Sequence, residues 1–487
     1  LYCNFNSMKC KKILSVLSFL FFAYFTYAEE TPVPNLYQYK LDNGLMLFVA
    51  ENHAVPLAYI EIAVKCGAYT QTPETAGLFH LYEHMMFKGN SLYPNAAAVQ
   101  DALSKLGVAS WNGTTSLECV NYFFTIPSDK IEDGLNFWNS AIRFPLLDKR
   151  ELENEKKVVI SEIQGNEVNP QRILYAANSK QMFPEAPWKM DTSGSVKVIS
   201  DTTVKQLKQI KNQFYIPNNA ALFVGGDVNP EEVFKLVNKI FGSWKKGKDP
   251  FAKGIFHQSE KPFTDVIYNV MPFDQISSEL AQISVEYRGP DVAFNKEDTY
   301  VADLIFHCVS SPSSVYKQVL VQDPLLMIPD LDYTWGSYLT RKQCGTLDFG
   351  VILANTQNLP EKAMYLLENL PMLLNQTILS QRPQDIEQVC QRMKDSDIFD
   401  RETAERLLSI MRFWWICADA DYYYSYSDNI KQVTQEQMLQ FVEKYITQSV
   451  PIVTVLVNPA VYENTKSEFE AFNFSEITSK NAFWWKK

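Results

Sequence analysis

Residues 78–87, Leu-Phe-His-Leu-Tyr-Glu-His-Met-Met-Phe, constrain this chain more than any other stretch. His80 and His84 are four apart, so on a helix their imidazoles leave one face one turn apart. That spacing lets two ring nitrogens sit ~2.0–2.1 Å from a single Zn²⁺. Glu83 adjoins the second histidine and can reach a water at the open metal position, whose pKa the metal lowers towards ~7. The order H-x-x-E-H is the inverted zincin arrangement. The competing reading is a core helix that happens to hold two histidines. Leu78, Phe79, Leu81, Met85, Met86 and Phe87 would bury the segment, and two imidazoles and a carboxylate are costly to bury without partners. One metal ion satisfies all three.

A catalytic zinc needs a third protein ligand. His53 follows a strand, His257 lies in a Gly/Pro-rich stretch and His307 ends an apolar helix, so each reads as ordinary surface or core. The acidic helix over Glu151–Glu162 is the better source. Glu155 and Glu162 are seven apart, two turns, and share a face. Glu162 directly follows Val158-Val159-Ile160 and Ser161, which points to a partly buried position. The residues alone leave Glu155 and Glu162 as alternatives.

The rest of the chain sets the frame. A basic cluster at Lys9, Lys11 and Lys12, the apolar run Ile13 to Tyr27 and the small residue Ala28 read as a secretory signal. Leu1 to Ser7 reads as sequence upstream of a start at Met8. The run is short of the ~20 residues of a spanning helix. The expectation is export to the periplasm or cell envelope, with membrane contact only if the signal stays uncleaved. The chain carries 45 Lys+Arg against 56 Asp+Glu, a net charge of -11. Without its leader it is more acidic still, so nucleic acid is excluded as a natural partner. Six cysteines lie beyond the leader with no CxxC among them, most in apolar runs, and read as core filler whose disulfide state stays open.

Along the chain, Leu36 to Lys40 and Leu45 to Ala50 flank a turn at Asp42-Asn43-Gly44. A strand at Leu57 to Cys66 follows, then a helix over 73–88 starting at Thr72-Pro73, a helix from Asn95 to Gly107, and strands at Ala109 to Thr115 and Cys119 to Ile126. Helices are expected over 128–143, 148–165 and 230–241, with a buried strand at Ala220 to Gly225. Gly, Pro and charge over 243–261 mark a linker. Beyond it, strands near 263–270, 280–287, 331–339 and 346–354 mix with helices near 295–309, 359–376 and 382–418. Thr203, Leu207, Ile210 and Phe214 before one strand echo Thr434, Met438, Phe441 and Tyr445 before another, at nearly the same spacing. That echo favours duplication over coincidence. The expected class is α+β. The division is a leader (1–28), an N-terminal domain (29–242), the linker (243–261) and a homologous C-terminal domain (262–487), each domain a mostly antiparallel sheet packed by helices.

The motif, the acidic helix, the stretch Trp111-Asn112-Gly113-Thr114-Thr115-Ser116 with Tyr122, and Tyr215 to Val228 together resemble the pitrilysin/insulinase family of metallopeptidases. Its mitochondrial-processing-peptidase-like branch is the most similar. In that family the motif is followed some 75–80 residues later by two glutamates seven apart, the second a zinc ligand. Here His84 and Glu162 are 78 apart. The resemblance therefore implies His80, His84 and Glu162 as ligands of one Zn²⁺ per chain, Glu83 as general base and Glu155 as a carboxylate behind the ligands. It also implies that the Trp111 strand pairs with extended substrate, with Asn112 and Gly113 aligning the peptide backbone. Read without the family, Asn112-Gly113 is also compatible with a turn between strands.

One departure stands out. Members of the family carry an Arg and a Tyr in the second domain that stabilise the oxyanion, in a passage resembling Ser313 to Tyr333. Val321 and Met327 fall at those positions, and no Arg occurs between Arg288 and Arg341. A partner subunit, as a homodimer or a heterodimer with a related chain, is the expected source of such donors. The function expected is an exported zinc endopeptidase cutting extended peptides or small proteins. The alternative is a non-catalytic, partner-binding subunit that has kept the fold. The aromatic clusters Trp414-Trp415 and Tyr422 to Tyr426 read as packing, and Phe483-Trp484-Trp485 carries no assigned role.

Overall fold

The computed structural model describes residues 29–108, 110–252, 261 and 263–486. The expected leader, residues 253–260 of the expected linker with His257, and Ala109 lie outside the described residues. Two sheets organise the rest. In spatial order the seven-stranded sheet runs Glu29–Glu30, Leu36–Lys40, Met46–Glu51, Ala220–Gly226, Leu57–Lys65, Cys119–Pro127 and Trp111–Thr115. The six-stranded sheet runs Thr334–Leu339, Thr346–Leu353, Ala281–Arg288, Ile452–Val457, Ile267–Pro272 and Ser475–Glu476.

Five strands of each sheet share one plan. Met46–Glu51 pairs parallel with Ala220–Gly226, as Ile267–Pro272 does with Ile452–Val457. Every further pairing along the five is antiparallel, and both series end on an edge strand, Trp111–Thr115 or Thr334–Leu339. The helical echo sits at the same place in each. Thr203 and Thr434 both cap helices through reciprocal capping boxes just before the inner parallel strand. These are two homologous α+β domains.

Each domain lends the other a helix. Pro170–Met182, from the first half of the chain, packs Ile173 and Ala177 against Met271 and Leu456 of the second sheet. Ala404–Cys417, from the second half, packs Leu407, Leu408, Met411 and Trp415 against Phe48, Ala221 and Phe223 of the first. Gly225 is needed there: a Cβ would come 2.7 Å from Leu408. Arg412 on this helix reaches Glu61, fully buried in strand Leu57–Lys65, at 2.8 Å. The final residues return to the first domain, where Trp484 Nε1 donates to Asp191 at 2.9 Å and Lys486 meets Glu167 at 2.8 Å. Trp414 stacks on Tyr422 and Trp415 meets Phe223 edge-on, so those clusters are packing.

Several elements depart from expectation for local reasons. The motif helix is Leu78–Met86 and starts at Gly77, not Thr72. Thr75 bonds back to Thr72, and Gln71 accepts from Gly77 N at 2.8 Å, so the intervening residues form a turn. The long helix expected over 382–418 is two, Pro383–Asp400 and Ala404–Cys417, the second capped by Thr403. Pro170–Met182 was not anticipated, although Asn169-Pro170 is a cap-and-start signal. The start of the expected linker is anchored. Asn43 donates to the carbonyls of Phe241 and Trp244, and Trp244 is buried. Five of the six described cysteines, Cys66, Cys119, Cys308, Cys390 and Cys417, are buried and in no disulfide. No described helix is long and apolar enough to cross a membrane.

Candidate metal centre

Six buried residues, Leu78, Phe79, Leu81, Tyr82, Met85 and Met86, fasten the motif helix to the first core. Its opposite side carries His80, Glu83 and His84, each only partly exposed. The helix start is fixed by Gly77 at φ +88, where a Cβ would strike Ser193 O at 2.4 Å. The acidic helix, Lys149–Asn166, is capped by Asp148 and packs alongside through Leu152, Val159 and Ile163.

That packing brings His80, His84 and Glu162 together, with ligand atoms within 4.8 Å of one another. Glu162 Oε2 lies 3.6 Å from His80 Nε2 and 3.7 Å from His84 Nε2. Tetrahedral zinc with bonds of ~2.0–2.1 Å separates its ligand atoms by roughly 3.3–3.5 Å, so the donors present fit that ion. Glu155 takes a different place. Its Oε2 is 3.2 Å from His84 Nδ1 and its Oε1 is 2.8 Å from Lys88 Nζ. A carboxylate on the far nitrogen fixes the ring and leaves Nε2 facing Glu162. His80 lacks such support: its Nδ1 is buried without a partner among the described residues.

One expectation is reversed. Glu162, read as partly buried, is 46% exposed at its side chain, and Glu155 is the buried carboxylate at 8%. Val158 also faces outward, so the apolar run before Glu162 does not mark the inner face. The inner face follows Leu152, Glu155, Val159 and Ile163.

The electrostatics follow from depth and neighbours. Burial, with His84 close by, pushes the His80 imidazole down to about 4, leaving it neutral and ready to donate a lone pair. Burial also lowers His84, but Glu155, Glu162 and Glu83 outweigh it and raise the ring. For Glu155 burial acts upward and is overcome by the hydrogen bonds from His84 and Lys88, so the carboxyl stays below its ordinary value. Burial raises the Glu83 carboxyl, with the Thr115 hydrogen bond pulling the other way.

Asn112 and Gly113 lie on Trp111–Thr115, a true strand, not a turn, at the end of the sheet. Its inner side pairs with residues 120–124, and among the described residues nothing pairs with its outer side. Asn112 is exposed, and its Oδ1 accepts from Gly113 N at 2.9 Å. Sequence reasoning overlooked Lys88 and Thr115. The strand's two-residue alternation, which sets Thr115 on the face of Gly113, was the available signal for the latter. In the second domain Val321 sits on helix Val315–Gln322, and Met327 is 49% exposed at φ +53. Arg288 is engaged elsewhere, donating to Met182 O at 2.8 Å and lying over Phe263.

Comparison with known proteins agrees with this architecture. The family described as Insulinase (Peptidase family M16) matches residues 47–194, and Peptidase M16 inactive domain matches residues 201–378. The zinc protease YmxG of Bacillus subtilis is 27% identical over 225 residues, 46% of this chain and 53% of that protein. The probable zinc protease PqqL of Haemophilus influenzae is 25% identical over 285 residues, 56% of this chain and 30% of that protein. The chain thus spans about half, or less, of the length of the curated relatives it matches. The first half of the periplasmic protease PqqL from Escherichia coli superposes with a TM-score of 0.75 at 17% identity, covering 92% of this chain and 97% of that structure. Against whole PqqL the coverage is 51% of that chain. These matches do not single out the mitochondrial-processing-peptidase-like branch.

Proposed function

The chain belongs to peptidase family M16, and from that premise we propose that it is a zinc-dependent endopeptidase of extended peptides or small proteins. The observation carrying this reading is the convergence of His80, His84 and Glu162 beside Glu83 and an open sheet edge. His80, His84 and Glu162 would hold one zinc ion. When bound, that ion supplies a Lewis acid that polarises a carbonyl and acidifies water. Glu83 takes the proton of the attacking water and passes it to the leaving amine. Its burial keeps the carboxyl's affinity for a proton above that of an ordinary glutamate. Glu155 holds His84 in the tautomer that turns Nε2 to the ion.

Substrate joins the outer side of Trp111–Thr115 as an added strand, with Asn112 and Gly113 aligning its backbone. Main-chain pairing makes the selectivity loose. An oxyanion donor is typically worth ~10²–10³ in rate. Because Val321 and Met327 offer none, the donors come from a partner subunit, homologous or identical. The same absence favours, as a second reading, a subunit that binds partners without cutting. The apolar run after Lys9, Lys11 and Lys12 supports export, as does the periplasmic location in the name of the Escherichia coli structure.

The test is zinc content and cleavage of a quenched peptide library, for wild type and Glu83→Gln, alone and mixed with family subunits. Expected are about one zinc per chain in both proteins and cleavage lower by about 10²–10⁴-fold in the variant. No zinc and no cleavage in any pairing would sink the enzyme reading.

A further inference from the structure

Glu83 does not stand free above the site. Thr115 Oγ1 donates to its Oε2 at 2.9 Å. Two residues back on the same strand face, a Cβ built on Gly113 would lie 3.0 Å from both Glu83 Cγ and Glu83 Oε1. The edge strand therefore offers the carboxylate a seat, with a gap at Gly113 for its body and a donor at Thr115 for one oxygen. The second domain repeats the arrangement with other chemistry. There Gly336 stands at the matching place on edge strand Thr334–Leu339, and a Cβ on it would come 2.7 Å from Val309 and 3.4 Å from Phe306. Two residues on, Tyr338 stacks on Phe306 with ring centroids 6.3 Å apart. The duplicated fold thus carries a carboxylate with a hydroxyl donor in one domain and a ring against a ring in the other.

We propose that Thr115 is a positioning residue for the general base. This rests on Glu83 acting as that base. The hydroxyl holds the carboxylate in one rotamer against the strand, leaving Oε1 to receive the proton. Because the same strand would align the peptide, base and substrate are registered on one rigid element, and a lost donor would spread the base over several rotamers. Thr115→Val keeps the shape and removes the donor, whereas Thr115→Ser keeps the donor.

The experiment measures kcat and KM for wild type, Thr115→Val, Thr115→Ser and Glu83→Gln, in whatever assembly cleaves, with zinc content and crystal structures of the zinc-loaded wild type and both Thr115 variants. Expected for Thr115→Val is a kcat about 10–100-fold lower, with KM within about twofold, zinc unchanged and Glu83 in more than one conformer. Thr115→Ser should recover to within about threefold, with Glu83 in a single conformer. An unmoved Glu83 in Thr115→Val, equal losses in Val and Ser, or a change in KM alone would overturn the proposal. Wild-type cleavage by Glu83→Gln would instead overturn the assignment of the base. If no assembly cleaves, the Glu83 conformers decide.

Discussion

The helix that bears the motif has a counterpart in the second domain, and the two have been put to opposite uses. His80 lies fifteen residues past the end of strand Leu57–Lys65, and Asp303 lies fifteen past the end of Ala281–Arg288. In that register His80, Glu83 and His84 correspond to Asp303, Phe306 and His307. Phe306 is buried in the second core, against Phe349 and Tyr338. Asp303 accepts from Tyr426 at 2.7 Å, so it is tied to helix Ala420–Lys431. Among the described residues no second metal-like cluster forms. The comparison teaches that the backbone plan is compatible with either outcome. Three side chains on one helix, and a carboxylate brought from another, separate a site from a packed core.

The two domains also depend on each other, and the largest effect should come from cutting that dependence. Arg412→Ala leaves Glu61 fully buried without its cation, a situation that costs about 3–5 kcal/mol. Urea unfolding of the whole chain should show that loss. An unchanged midpoint would mean that the exchanged helix is held by apolar packing alone. Phe306→Glu recreates the motif glutamate in the second domain. We expect a loss of about 3–5 kcal/mol from removing a buried ring, with no gain in zinc stoichiometry. A second zinc per chain would break the comparison.

A smaller effect separates the two glutamates of the acidic helix. Glu155→Gln should weaken zinc binding by about 10–100-fold in a competitive chelator titration, because His84 loses the carboxylate behind it. Glu162→Gln should cost more. Equal losses would indicate that both carboxylates contact the ion. A pH effect concerns Asp303, whose carboxyl burial pushes up to about 7, against the pull of the Tyr426 hydroxyl. A folded value above the unfolded one means that the native state holds the proton more tightly. Stability should therefore fall as pH rises from about 4 to about 7 and level off above. Asp303→Asn should reduce that slope in pH-dependent denaturation, the other raised carboxyls Glu118, Asp191, Glu286 and Asp348 keeping the rest of it.

Much of this was legible in the residues. Four-residue spacing puts His80 and His84 on one face of any helix, and apolar neighbours dictate which side turns inward. The Thr203 and Thr434 capping boxes announce their helices and the repeat between domains. What was not legible involved contacts distant in sequence. The start of the motif helix moved because Gly77 meets the Ser193–Gly194 turn. The exchanged helices, Pro170–Met182 and Ala404–Cys417, cover sheets to which their own sequence neighbours do not belong.

The sequence by itself determined that two imidazoles and a carboxylate share one helical face, and that two glutamates seven apart share another, because helical periodicity is local. Which of those two glutamates faces the imidazoles is not a local property. Both lie on one side of Lys149–Asn166, and only the docking of that helix along Leu78–Met86 turns Glu155 behind His84 and Glu162 towards both Nε2 atoms. Sheet pairing likewise decided that Thr115 meets Glu83 across 32 residues of chain, since strand register is set by the partners on either side and not by the strand alone.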